Sequence, residues 1–296
     1  MDISIQICSY NRKNVLEKCL RALCNLNYDR DKFELVLVDD GSVDGTGELV
    51  KNLNMPIKHK YIYQENQGLA TARNKGIRAA EGKYILFIDD DIIADKELLN
   101  EHIKFHEKYM RSVVKGWVNH VDDLDNITKP KFTWADFSTA FFWTSNVSVE
   151  RKFLLQSGLF DEEFREYGWE DLELGLRLRK LGLSSRFNKD AVVYHYKGMW
   201  NKERLERSIK VSQAKGRTAV LFCKKHPGAR VKIATGNYFL RKFLNTVLYC
   251  AGSGEKLCNG LLEKRNSGKY TSFDIFLAKR LIDFEYFRAM SGEEKK

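Results

Sequence analysis

Two runs of carboxylates follow directly on apolar segments of this 296-residue chain. Asp39-Asp40-Gly41-Ser42 ends the stretch 33–38, and Asp89-Asp90-Asp91 ends the stretch 84–88. Alternate carboxylates of the second kind can address a ribose hydroxyl and a divalent cation that bridges two phosphates, and such oxygen ligands suit Mg²⁺ or Mn²⁺. Taken alone, a triple Asp is more often an acidic turn capping the helix that begins near Asp95, and Asp-Gly-Ser is common turn chemistry. Asp171 stands beside Glu170 at the start of a helical pattern, where proton abstraction and simple N-terminal capping are both open. His195 lies in Val192-Val193-Tyr194-His195-Tyr196, a strand pattern in which a lone histidine is more often structural than ligating.

The elements that must position these groups are legible from hydrophobic period. Ile3, Ile5 and Ile7 alternate with polar residues, Ser9-Tyr10-Asn11 turns, and Leu16, Leu20, Leu23 and Leu26 recur at helical spacing. The strand-then-helix unit repeats as strand 33–38 with helix 47–53, then strand 59–63 with helix 69–80, which Gly82 terminates. Strand 84–88 follows. Such alternation implies a mostly parallel sheet covered on both faces, in which ligands gather at the carboxyl ends of the strands. Both acidic clusters fall at those ends, so the turn reading weakens. Beyond Asp95 the pattern predicts a helix to about 109, an irregular polar region through Pro130, an aromatic-rich segment 132–143, a strand 146–149, a helix 169–181 and a strand 191–196. From Lys202 onward it is helical and basic.

An ordered set of motifs spans residues 1–197: Ser9-Tyr10-Asn11-Arg12, Val38-Asp39-Asp40-Gly41-Ser42-Val43-Asp44-Gly45-Thr46, Asn66-Gln67-Gly68-Leu69-Ala70-Thr71-Ala72-Arg73-Asn74, Phe87-Ile88-Asp89-Asp90-Asp91, Thr144-Ser145-Asn146-Val147-Ser148, Phe160-Asp161-Glu162-Glu163-Phe164 and Gly168-Trp169-Glu170-Asp171-Leu172-Glu173-Leu174-Gly175. In this order they resemble the family 2 glycosyltransferases of the GT-A fold, a Rossmann-like α/β sheet flanked by helices. The resemblance implies inverting, metal-dependent transfer of one sugar from a nucleoside-diphosphate donor, UDP by family frequency, to an acceptor hydroxyl, with Mn²⁺ or Mg²⁺ as cofactor. By it, Cys8, Ser9, Tyr10 and Arg12 wrap the nucleoside, Asp40 meets the base, and Arg73 and Asn74 face the nucleotide or its phosphates. Asp89 contacts the ribose, Asp91 and His195 hold the metal, and Asp90 belongs to the nucleotide side as the least committed of the three. Asp171 becomes the base. Glu170 is its fallback and, with Trp169, the acceptor-side candidate. Trp134, Phe137, Phe141, Phe142 and Trp143 are read chiefly as packing. Long-chain polymerases of the family usually add membrane-spanning helices and a Gln-x-x-Arg-Trp motif, neither of which is seen here, which favours single transfer.

The net charge of +10 favours anionic company, and the excess sits in the second half, at Arg204, Arg207, Lys210, Lys215, Arg217, Lys224, Lys225 and Arg230. Six cysteines without a CxxC pair read as reduced thiols, and the start lacks a signal-like pattern; both point to a cytoplasmic protein. The division expected is a GT-A domain over 1–222 and a basic helical extension over 223–296. That extension can pack on the core, form a homodimer, or lie against an anionic membrane at its inner face as a peripheral contact. Acceptors open to the family are a glycan, a lipid-linked glycan or a protein. No nucleic-acid motif is present. A silent scaffold is disfavoured by the full set of charged positions, and a sugar nucleotidyltransferase by Ser9-Tyr10-Asn11-Arg12 where a Gly- and Arg-rich signature belongs.

Overall fold

A computed structural model describes residues 1–127, 132, 138, 140–241, 243, 256, 260 and 270–296. Trp134, Phe137, Cys250 and Cys258 lie outside these residues. The described chain falls into two compact units, one of Met1–Arg165 with Glu170–Lys197, the other of Glu166–Trp169 with Gly198–Lys296. The long change of unit thus comes at residues 197 and 198, ahead of the 222/223 boundary read from the sequence, because the helix Lys202–Lys225 packs along the last helix of the chain.

The first unit opens with β1 (Ile3–Ser9), α1 (Lys13–Leu23), β2 (Phe33–Asp39), α2 (Thr46–Asn52), β3 (Lys58–Tyr63), α3 (Leu69–Ala79) and β4 (Tyr84–Ile88), as the periodicity predicts. It continues with β5 (Ile92–Ala94), α4 (Leu98–Lys108), β6 (Ser112–Val121), β7 (Asn146–Glu150), α5 (Arg151–Gln156), α6 (Glu170–Lys180) and β8 (Ser184–Tyr196). The strands form one mixed sheet in the order β3-β2-β1-β4-β7-β6-β8-β5. β1, β2, β3 and β4 run parallel, β7 is antiparallel to both β4 and β6, and β6 runs parallel to β8. Strands β1, β2 and β4 are buried on both faces, which is why they read as near-continuous apolar runs. Ile3, Ile5, Ile7, Leu35 and Leu37 pack under α1 and α4, while Val36, Ile85, Phe87, Val147 and Val149 pack with Leu154, Leu174 and Leu178 on the opposite face.

Only three residues, Asp89, Asp90 and Asp91, join β4 in the middle of the sheet to β5 at its far edge. Four strand spacings of ~4.8 Å make ~19 Å across a flat sheet, whereas four residues of extended chain reach ~14 Å at most. The sheet therefore curls, and the triple Asp lies across the mouth of the curl. β6 departs from the expected irregular region: Lys115 and Gly116 interrupt its apolar alternation, yet both are dictated by packing. The Lys115 ammonium is buried and donates to the carbonyls of Ser138 (2.7 Å) and Ala140 (2.8 Å). A Cβ on Gly116 would come within 2.2 Å of Asn146 Nδ2 and 2.3 Å of the Ala191 carbonyl.

The described residues of the second unit include the helices α7 (Lys202–Lys225), α8 (Ala229–Thr235) and α9 (Ser272–Glu293). Leu205, Ala278 and Leu281 form one buried cluster, and Ala219, Val220, Phe287 and Met290 another. Gly216 lets α7 and α9 approach, since a Cβ there would meet the Tyr286 carbonyl at 2.2 Å. α9 begins with a capping box between Thr271 and Asp274.

Candidate functional site

The pairing of β5 with β8 sets Ile92 opposite His195, and the Tyr196 N–H donates to the Asp91 carbonyl at 2.9 Å. That register brings the imidazole over the triple Asp. His195 Nε2 lies 2.9 Å from Asp91 Oδ1 and 3.8 Å from Asp89 Oδ2, and one donor atom from each of the three residues falls within 4.8 Å of the others. Two carboxylate oxygens and one imidazole nitrogen form a mixed set that suits a hard to borderline divalent cation such as Mn²⁺ or Mg²⁺. His195 Nδ1 is buried without a hydrogen-bond partner among the described residues, so it is Nε2 that the ring offers to the carboxylates. Burial disfavours the charged imidazole, but hydrogen bonding to Asp91 and the charges of Asp91 and Asp89 outweigh it and raise the His195 pKa. Burial acts to raise Asp91, and His195 and Arg12 together hold it below its ordinary range.

The loop after β1 supplies the counter-charge. Asn11 takes a left-handed conformation (φ 53°), accepts from the Val43 N–H, and donates its own N–H to Ser42 Oγ, tying the loop to the turn after β2. Arg12 then reaches across to Asp90 Oδ1 at 2.8 Å and to Asp91. Ser9 Oγ donates to the other oxygen of Asp90 at 2.7 Å. Asp90 is therefore not the loosest of the three: it points inward, and burial pushes it up to about 7, against the pull of Arg12 and with Asp91 adding to the rise. Asp89 remains the half-exposed member. Tyr10 is exposed, whereas the Cys8 thiol accepts from Gln6 Nε2 at 3.0 Å and is driven by burial up to about 12, so it stays protonated.

Asp40 closes the loop before α3. Its carboxylate accepts from Gln64 Nε2 (2.7 Å), the Gln67 N–H (2.9 Å) and the Gly68 N–H (3.0 Å). A carboxylate has about four acceptor sites, so one remains for an outside donor such as a base N–H. Arg73 and Asn74, placed by sequence toward a nucleotide, are both buried. Asn74 receives the Phe160 N–H (2.8 Å) and donates to the Phe160 carbonyl (2.9 Å) and Glu162 (2.8 Å), while Arg73 pairs with Glu170 at 2.6 Å and with Thr144 Oγ1 at 2.5 Å. Thr144 and Phe160 each open a motif of the sequence, but no local pattern gives them as the partners of Arg73 and Asn74. Asp171, the second residue of α6, is buried, and its carboxylate accepts from the Leu172 N–H at 2.7 Å. Trp169 (φ 72°) stacks on Phe222 and donates its indole N–H to the Lys215 carbonyl at 2.9 Å, so its ring is committed within the second unit. Phe142 is fully buried in the core, as expected of a packing residue.

Comparison with known proteins bears on the family and the fold. A model of glycosyl transferase family 2 matches residues 4–161. The uncharacterized glycosyltransferase YfnE of Bacillus subtilis (strain 168) is 31% identical over 255 residues, covering 66% of this chain and 64% of the relative. The validoxylamine A glucosyltransferase of Streptomyces hygroscopicus subsp. jinggangensis (strain 5008) is 28% identical over 227 residues, covering 64% of this chain and 54% of its own. The chain thus spans between half and two thirds of the length of these two relatives. Among solved structures, mannosyltransferase PcManGT from Pyrobaculum calidifontis, in complex with GDP-Man and Mn²⁺, superposes with a TM-score of 0.62 at 16% identity, covering 99% of this chain and 86% of that one. S. aureus TarS 1-349 gives 0.56 at 18% identity, covering 100% and 92%. These likenesses carry the GT-A architecture, and the family match carries the relationship: the chain belongs to glycosyl transferase family 2.

Proposed function

We propose that this chain is an inverting, metal-dependent glycosyltransferase that moves one sugar from a nucleoside-diphosphate donor, UDP in the simplest case, to an acceptor hydroxyl. The observation that carries the reading is the convergence of Asp89, Asp91 and His195 at the carboxyl end of β4, beside the Ser9 to Arg12 loop. A divalent ion held by Asp91 and His195 supplies charge neutralisation for a departing diphosphate. Asp89 addresses the ribose, Asp40 uses its remaining acceptor site for the base, and the exposed Tyr10 covers the nucleoside. Asp171 accepts the acceptor hydroxyl proton as the oxygen bonds to the anomeric carbon; the bond to the diphosphate oxygen breaks with its electron pair, and configuration inverts. Glu170, engaged with Arg73, is left out of the base role. Relatives described as a glucosyltransferase and a GDP-Man complex with Mn²⁺ support nucleotide-sugar chemistry. A panel of sugar nucleotides scored by released nucleoside diphosphate, with Mn²⁺, Mg²⁺ or EDTA, tests it. Asp91→Ala is expected to weaken UDP binding in Mn²⁺ at least tenfold, and Asp171→Asn to leave that binding intact while removing transfer. Parental turnover in both variants sinks the assignment.

We also read the second unit as a peripheral contact for an anionic membrane. No helix of the described residues is long and apolar enough to cross one. Ile233, Phe239 and Leu240 are largely exposed among Lys232 and Arg241, the mixture of apolar and cationic side chains that interfacial binding uses.

A further inference from the structure

Resting on the reading of Asp171 as base, we propose that Arg73 is a positioning residue for the transfer step and not a donor-binding group. Its buried guanidinium grips Glu170 and so holds the neighbouring Asp171 carboxylate in place and ionised. The geometry is closed on three sides. One guanidinium nitrogen donates to Glu170 Oε1 at 2.6 Å, another donates to Thr144 Oγ1 at 2.5 Å, and the planar carbon lies 5.2 Å from the centroid of the Phe160 ring. Phe160 is itself fixed, because Asn74, the next residue of α3, hydrogen-bonds both its N–H and its carbonyl. Adjacent side chains of α3 therefore build a clamp: Asn74 sets the plate and Arg73 lies on it. Glu170 and Asp171 are the first two residues of α6, so a fixed Glu170 fixes the entry of that helix.

Charge argues the same way. Glu170 is 3% exposed and Asp171 8%, so two adjacent carboxylates are held largely out of water, where a charge without a partner is costly. Arg73 is 5% exposed and carries a charge that no accessible pH removes. It neutralises Glu170 directly, and Asp171 and Asp89 lie within its electrostatic reach. Lysine cannot replace the fork, since an ammonium is a point charge without the two parallel N–H directions that Glu170 and Thr144 require.

The test compares Arg73→Gln, Arg73→Lys and Asp171→Asn with the parent, by thermal melting, UDP titration in Mn²⁺, and turnover against pH with the donor chosen by the panel. Arg73→Gln is expected to leave the UDP Kd within about threefold, lower kcat about a hundredfold, and move the acid limb of the kcat profile upward, because a carboxylate that loses a nearby cation holds its proton to higher pH. Arg73→Lys is expected to keep the limb in place, by retaining the charge, while kcat stays about tenfold down for want of the fork. A tenfold weaker UDP Kd with unchanged kcat makes Arg73 a donor contact and overturns the proposal. So does an unmoved acid limb in Arg73→Gln, or a Lys variant as fast as the parent. Full turnover by Asp171→Asn instead sinks the base reading itself, and an inactive Asp171→Asn beside an unmoved limb sinks the role of Arg73 alone. Should Arg73→Gln fail to melt cooperatively, the Lys variant decides by the same readouts, with loss of both kcat and limb position overturning the claim.

Discussion

Single side chains at this site do two kinds of work, and position relative to the core separates them. Asp89 is half-exposed and faces outward, whereas Asp90, its neighbour, is buried between Ser9 and Arg12. Removing the Ser9 hydroxyl leaves a buried carboxylate short of a donor, so Ser9→Ala is expected to destabilise by about 1–3 kcal/mol. Urea melts measure this directly, and an unchanged midpoint rules out the inward role of Asp90. Asp171→Asn belongs to the other kind. On the proposed reading it removes the base while leaving shape and volume, so turnover and not stability should fall. The three carboxylates were legible as Asp89-Asp90-Asp91, but the sequence reading left Asp90 as the least committed. The structure commits it to two partners, because Arg12 and Ser9 arrive from a different strand end.

Elements hold the site through buried polar contacts as well as apolar packing. α4 lies on β7 through His102, whose ring nitrogens contact Ser148 Oγ (2.8 Å) and Asn146 Oδ1 (2.9 Å), and through His106, which contacts Ser148 Oγ at 2.8 Å and stacks on Tyr84. Burial lowers His102 to about 4 and His106 to about 3, so both are neutral when folded near neutral pH. An unfolded histidine protonates below about 6.5, so the unfolded chain binds more protons there and stability falls as pH drops below that value. Each ring costs up to about 1.4 kcal/mol per pH unit in this window, and the loss levels off only below the folded values. Melting temperatures between pH 7 and 5 should fall steeply in the parent and less steeply in a His102→Gln/His106→Phe variant; equal slopes refute the assignment. Gly116 on β6 offers a harsher test. A Cβ there meets Asn146 and the Ala191 backbone, so Gly116→Ala is expected to lower the urea midpoint sharply or abolish soluble expression.

At the scale of the whole molecule, the second unit carries the basic excess together with exposed aromatic side chains, among them Phe239 at 82% and Phe273 at 65%. Co-sedimentation with phosphatidylserine vesicles should exceed that with phosphatidylcholine vesicles, weaken with salt, and fall in Phe239→Ser. Equal binding to both vesicle types, or none, removes the membrane reading. What the sequence by itself determined was the strand and helix alternation, the acid-terminated strand ends and the family motifs that fall upon them. Each of these rests on local period or on a short contiguous pattern, which residue order alone records. Tertiary structure alone decided that Arg73 meets Glu170 across 97 positions, that Asn74 holds Phe160 across 86, that Asp40 spends three of its acceptor sites on one loop, and that Lys115 and Gly116 lie inside a strand. Buried ion pairs and close backbone approaches form between segments distant in the chain. Their cost and their satisfaction depend on what the fold brings within about 3 Å, and no periodicity along the chain encodes that.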